Sequence, residues 1–485
     1  MSDFAEKIRN PDSFEVVEDL RQYAPPSFKF AFPGVRRFVL ALDLSRSMDG
    51  NDGGRWRSVR DGLFRLFSHI PLGAEVAIVT FGSKARVNIE PTVVTEQNRE
   101  GIFGKIPFRL HDEAAEGCVA CGLKLAARLL RLPDAGNGLD ETSGSIILVS
   151  ATDTAASTKK DSAMMEAVAK TVEEKAVPVF NVALKNTCDD VIRLTKFGGN
   201  YFVKDTMEDM ADVFLDIFNR NGDSVSKKIY RKEYIWGGDK TVGGNFVVES
   251  GLNRNLWMVL TSPFKEDVEI FEVTSPSGAK FVFPKYQNGL VYFRLPGDNE
   301  SGIWGYRAKL YPVVSNGAKM TVEVIAESSE AKAESGDDGA VILDGWTNVR
   351  TGGVDATVDA VAIFAKLRQG NLPIRDAKVV ATVSRPGSSS PIEVVLRDDG
   401  TGYPDLTAGD GIYSAYFVDF TTEPGLYSVS LFADHNSGRA SVPRPERPLE
   451  DDCCGSALAP LAFSIPTRSF ERHAASTSFK VSEHP

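Results

Sequence analysis

The feature that most constrains the fold of this chain is an alternation, through its first half, of short apolar runs with amphipathic ones. Residues 37–42 (R-F-V-L-A-L) are apolar without interruption, the pattern of a strand buried on both faces of a parallel sheet. In residues 55–70, Val59, Leu63, Leu66, Phe67 and Ile70 recur at helical spacing. Residues 75–81, 145–150, 177–184 and 201–203 read as further strands. Residues 95–106, 119–130, 160–175 and 189–196 read as helices, and Met207, Met210, Phe214, Ile217 and Phe218 mark a last one. Strands alternating with helices imply an α/β, doubly wound parallel sheet over residues 36–220, and such sheets bind ligands beyond the carboxyl ends of their strands.

The pattern changes after Asp223. Short β-rich runs are separated by Gly, Pro, Asn and Ser, which predicts two all-β sandwich domains, over 224–327 and 340–440. Between them 328–339 is polar and reads as a linker, while 1–35 is an N-terminal extension. The last stretch, 441–485, has too little apolar pattern for a core and is expected to be an extended tail. A chain of 485 residues has room for about three domains, so the division is consistent with length.

Charge and composition exclude some functions. A net charge of -11 with no long basic run argues against nucleic-acid binding, which needs patches that neutralise phosphate. No segment approaches the roughly 18 consecutive apolar residues that span a bilayer. The first ten residues lack the apolar centre of a signal peptide. Five cysteines leave at least one thiol unpaired. Cys118 and Cys121 form C-V-A-C with no second pair at zinc-site spacing, so the reading is thiols or a single disulfide rather than shared zinc. Asn299-Glu300-Ser301 is a glycosylation acceptor only in a secreted chain.

The densest chemical signal follows the first strand. Asp43, Ser45 and Ser47 stand in D-x-S-x-S spacing between a buried strand and a helix. A loop there can aim one carboxylate and two hydroxyls at a single point, as a hard divalent cation requires. Asp and Ser also fill loops for turn reasons alone, so the position after a parallel strand is what gives the trio its weight.

These residues resemble the metal-ion-dependent adhesion site of von Willebrand factor A domains. The chain as a whole is similar to the calcium-activated chloride channel regulator family. The similarity is carried by D-L-S-R-S-M at 43–48, A-I-V-T-F at 77–81, E-G-C-V-A-C-G-L at 116–123, L-R-D-D-G-T-G at 396–402 and A-G-D-G-I-Y-S at 408–414. It begins at F-E-V-V, residues 14–17, and includes the order A domain, sandwich, then fibronectin-III/Ig-like module. The resemblance implies a non-enzymatic extracellular or cell-surface protein that modulates chloride conductance through protein contacts, with a chloride channel or matrix protein as partner. The alternative it leaves open is an adhesion or matrix scaffold whose A domain binds a protein ligand.

The departures from the family pattern are specific. Where the resemblance places G-G-T, this chain has Glu116-Gly117-Cys118, and where it places T-D-G, it has Ser150-Ala151-Thr152. A thiol stands for a hydroxyl and the second carboxylate is missing. Asp153 is two residues further on and is the candidate substitute, so the expected metal set is Asp43, Ser45, Ser47 and Asp153, binding Mg2+ or Ca2+ weakly. The family's metalloprotease-like domain with H-E-x-x-H has no counterpart, because none of the five histidines is followed by Glu. The expectation is a truncated chain or a short, cytoplasmic paralogue.

A second cluster of carboxylates lies in a Gly-rich loop near the chain's end. Asp398, Asp399, Asp405 and Asp410 fall between two predicted strands, a composition that suits calcium. The same residues are those that simply make turns. No phosphate-binding loop and no nucleophile elbow is present, and no catalytic residue is expected.

Overall fold

The computed structural model describes residues 37–481, apart from short intervals of which the longer are 111–116, 131–143, 152–158, 262–267, 311–318, 330–338 and 445–462. Its first unit is a six-stranded sheet. The strands are β1 (Arg37–Asp43), β2 (Glu75–Phe81), β3 (Ala85–Val93), β4 (Gly144–Ser150), β5 (Val179–Ala183) and β6 (Gly199–Phe202). They lie in the order β3-β2-β1-β4-β5-β6. Six helices accompany them among the described residues: α1 (Gly54–His69), α2 (Arg99–Phe103), α3 (Val119–Leu129), α4 (Lys159–Glu174), α5 (Asp189–Leu194) and α6 (Met207–Asn221).

Every residue of β1 is buried, which explains its unbroken apolar run. Its alternate side chains feed two cores. Phe38, Leu40 and Leu42 pack with Trp56, Val59 and Leu63 of α1 and Met210, Phe214 and Ile217 of α6. Val39 and Ala41 face Val119, Ala120 and Leu123 of α3 and Val168 and Val172 of α4 on the other side. Gly122 lets α3 come close, since a Cβ there would lie 2.4 Å from Phe81 Cδ1.

The sheet departs from the expected all-parallel arrangement at one edge. β3 runs antiparallel to β2, and the predicted helix over 95–106 shrinks to α2. Residues 82–84 join β2 to β3 as a hairpin, which parallel strands could not use. As an edge strand β3 is only partly buried and carries Pro91, so its apolar periodicity is faint.

The second half contains strands β7 (Ser224–Ile235), β8 (Thr241–Val248), β9 (Arg254–Thr261), β10 (Val268–Thr274), β11 (Lys280–Val282), β12 (Tyr286–Gln287), β13 (Leu290–Asp298), β14 (Gly302–Leu310) and β15 (Lys319–Ser329). Next come β16 (Val341–Thr347), β17 (Val361–Gln369), β18 (Leu372–Pro373), β19 (Lys378–Ser384), β20 (Ile392–Leu396), β21 (Ile412–Phe417) and β22 (Gly425–Asp434). Strand β15 runs through Ser329, two residues into the expected linker, whose residues 330–338 lie outside the described set.

Two findings correct the sequence reading here. The stretch expected as an extended tail holds β23 (Ser441–Arg444), β24 (Phe463–Pro466), β25 (Glu471–Ala475) and β26 (Phe479–Val481). In addition, the two β-regions share a sheet. Strands β12-β13-β9-β15-β7 continue through β25 into β22-β19-β20, with β26 also on β22. The joint is narrow: β25 meets β7 at His473 opposite Lys228. These strands are three to five residues long and find their partners on elements distant in sequence, so local pattern carries little signal. Smaller sheets, β11-β10-β14-β8 and β16-β17-β18 with β21, cover the faces of the long one.

The A-type unit rests on this joint. Trp257 and Val259 of β9, Ile325 of β15 and Ala475 of β25 belong to the same core as α1 and α6. Lys228, 1% exposed, makes an ion pair with Glu323 of β15 at 2.7 Å and another with Asp212 of α6. The cation at the strand junction therefore ties the A-type unit to the first β-region, while its backbone pairs with β25.

Candidate metal centre

The order β3-β2-β1-β4-β5-β6 reverses direction between β1 and β4, and the crevice of a doubly wound sheet opens at that point. Asp43 is the last residue of β1 and Ser150 the last of β4, so the topology brings them together. Ser150 Oγ donates to Asp43 Oδ2 at 2.8 Å, and Ser47 Oγ donates to the same oxygen at 3.3 Å. The Ser45 amide donates to Asp43 Oδ1 at 2.9 Å, and the Ser45 and Ser47 hydroxyls are 2.7 Å apart. Asp43 and Ser45 are fully buried.

Local rules explain the loop. The extended backbone of Ser45 precedes a single turn of 3-10 helix, Arg46–Met48, which swings Ser47 back toward Asp43. Leu44 N–H continues the strand ladder to Phe81 O at 2.7 Å, and Arg55 Nη1 holds the Ser47 carbonyl at 2.6 Å. Gly117 closes the site from above. A Cβ there would lie 2.6 Å from Asp43 Oδ1, so only glycine lets this loop touch the carboxylate.

Asp43, Ser45 and Ser47 thus converge as the spacing implies, and Ser150 joins them. Ser150 stands in the sequence at the start of the T-D-G position, and its hydroxyl joins the set because β4 brings it to Asp43 from 107 residues away. Asp153 lies outside the described residues. Ala151 is buried next to Ser150 and offers no side-chain oxygen. Cys118 is not a free thiol but is joined to Cys121 in a disulfide. Among the described residues the donor set is one carboxylate and three hydroxyls, each hydroxyl able to accept as well as donate. That set fits a hard dication incompletely, because a single negative charge opposes the cost of dehydrating the ion.

The second cluster is arranged differently. Asp405 accepts from the amides of Asp399 and Gly400 at 2.5 and 2.7 Å and of Thr407 at 3.2 Å. Asp398 accepts from the Gly409 and Gly411 amides at 2.6 and 3.0 Å, and Asp410 from Ile412 at 2.8 Å. Asp399 takes the amide and hydroxyl of Thr401, whose hydrogen bonds hold its carboxyl below the usual range. Burial holds Asp398 above that range in spite of its amide partners. Each carboxylate thus organises its own stretch of turn, and the four are not gathered on one point. Among the described residues, the one group of His, Cys, Asp or Glu whose ligand atoms all lie within 4.8 Å of one another is Cys118, Cys121 and Asp161.

Comparison with known proteins gives the following similarities. A family model described as von Willebrand factor type A domain matches residues 38–156. Calcium-activated chloride channel regulator 1 of Sus scrofa is 25% identical over 456 residues, covering 91% of this chain and 46% of that protein. The Homo sapiens protein of the same name is 25% identical over 442 residues, covering 88% of this chain and 44% of its own length. The chain therefore spans about half the length of the curated relatives it matches. Among solved structures, proximal thread matrix protein 1 from the mussel byssus, described with a zinc occupied MIDAS motif, is 14% identical with a TM-score of 0.30. It covers 38% of this chain and 45% of that one.

Proposed function

We propose that this chain, similar along most of its length to calcium-activated chloride channel regulators, is a non-enzymatic modular binding protein that modulates chloride conductance through contact with a protein partner. The observation that carries the reading is the Asp43–Ser150 contact at the strand-order reversal, in a domain of von Willebrand factor A type. A hydroxyl-lined crevice with one buried carboxylate can accept polar groups of a partner, and among the described residues no nucleophile–base pair accompanies it. Asp43, Ser45, Ser47 and Ser150 would hold a divalent cation, whose chemistry would be to present an open coordination position to an acidic side chain of the partner. The missing second carboxylate makes that contribution weak, so the crevice itself and the β-sandwich modules carry most of the contact. The proposed place of action is the cell surface or the extracellular space. No helix among the described residues is long and apolar enough to cross a membrane.

The test is electrical. Purified chain is applied to cells carrying a calcium-activated chloride conductance, with whole-cell current and surface-bound chain both measured. The reading expects surface binding and increased current, both reduced by Asp43→Ala. Failure of the chain to bind, together with unchanged current, would sink it.

A further inference from the structure

We propose that Cys118, Cys121 and Asp161 form a second, separate metal site, one for a soft divalent cation of the zinc class, closed by oxidation and opened by reduction. Three observations converge on it. Cys118 caps the N-terminus of α3, an eleven-residue helix, and the Cys121 amide donates to Cys118 Sγ at 3.3 Å. Asp161 enters from the first turn of α4, on a different helix, and its Oδ1 lies 3.6 Å from Cys118 Sγ. All three ligand atoms lie within 4.8 Å of one another, and all three residues are half-buried, so the group is reachable from solvent.

The chemistry distinguishes this group from the oxygen cluster on Asp43. Thiolate sulfur is the donor that zinc prefers, and two sulfurs plus a carboxylate leave a fourth tetrahedral position for water. The N-terminus of α3 favours negative charge, and both sulfurs sit in its first turn. In the disulfide neither sulfur is a thiolate, so the oxidised chain offers only Asp161. An external dithiol reductant opens the site. Its two thiols deliver two electrons and two protons to the Cys118–Cys121 bond, leaving two cysteine thiols and the reductant's own disulfide. On metal capture the two thiols give their protons to solvent.

The experiment uses the full chain and Co2+ as probe. The chain is reduced, freed of reductant without air, and its free thiols are counted. Titration with Co2+ is expected to produce a thiolate-to-cobalt absorption band that saturates at one equivalent and is erased by Zn2+. The oxidised chain shows no band, nor does reduced C118S/C121S. Asp161→Ala lowers the affinity by about tenfold or more, the scale seen when a metal-site partner is removed. Asp43→Ala leaves the band unchanged, which separates this site from the crevice. C188S/C453S/C454S keeps the band, because the remaining cysteines are not the ligands. Absence of a band in reduced chain whose thiols have been counted overturns the proposal. So does a band of equal strength in C118S/C121S that still folds.

Discussion

Arg472 and Glu249 stand 223 residues apart in sequence, yet Arg472 Nη2 lies 2.6 Å from Glu249 Oε1 with both side chains buried. The arginine comes from β25 and the glutamate from just beyond β8, so this pair pins the final strands onto the first β-region. Arg472 also donates to the carbonyls of Val341 and Glu471, each at 2.7 Å. Removing one partner of a buried pair strands the other charge away from water. Glu249→Ala is expected to lower unfolding stability by about 3 kcal/mol. Glu249→Gln, which keeps an acceptor, should cost less. Urea unfolding measures both, and equal stability of Glu249→Ala and the parent would mean that the joint does not depend on this pair.

Magnesium should stabilise the parent chain little, because among the described residues the crevice holds one carboxylate. A ligand at a hundredfold excess over Kd adds about 2.7 kcal/mol. Ala151→Asp combined with Cys118→Thr supplies the two residue types that the family pattern has and this chain lacks. That variant is expected to gain a magnesium-dependent rise in Tm, lost again on adding Asp43→Ala. A large rise already present in the parent would show that a residue outside the described set, Asp153 first, completes the site.

The aspartate-rich loop between β20 and β21 should ignore calcium. Each of its carboxylates is turned to backbone amides of its own stretch, and the four do not converge on one point where an ion could sit. Calorimetry of the full chain with millimolar calcium is expected to show no heat that Asp405→Ala removes. The same substitution should cost about 2 kcal/mol, because three amides of the turn lose their charged acceptor. Calcium-dependent protection of this loop from protease would contradict the first statement, and unchanged urea stability of Asp405→Ala the second.

Glu327 makes stability depend on pH in an unusual direction. Burial holds its carboxyl above the ordinary value of 4.5, although Asn255 donates to it at 2.7 Å and Arg294, Arg99 and Arg254 pull the other way. A folded pKa above the unfolded one means that ionisation favours the unfolded chain. At pH well below 4.5 both states are protonated and nothing is lost. As pH rises through that value toward the folded pKa, stability falls, and above it the loss is complete. Glu327→Gln should therefore gain on the parent as pH rises through this window, with no gain at the acid end. A difference between the two that is flat with pH would refute the assignment.

What the sequence determined by itself is the A-type unit and the convergence of Asp43, Ser45 and Ser47. The unbroken apolar run of β1 is readable because both of its faces are covered, and Asp43, Ser45 and Ser47 are neighbours on one loop. Local spacing and burial pattern suffice there. Tertiary structure alone decided the rest. Ser150 reaches Asp43 only because β4 lies beside β1 in the sheet. The antiparallel edge β3 and the strands beyond residue 440 are half-exposed or short, so their stability comes from partners that periodicity cannot see. The aspartates of the last loop looked equivalent in sequence. Their meaning was set by which amides each one faces, a matter of backbone direction that no composition encodes. The Cys118–Cys121–Asp161 group shows the same division: the sequence supplied C-V-A-C, and only the packing of α4 against α3 supplied the carboxylate.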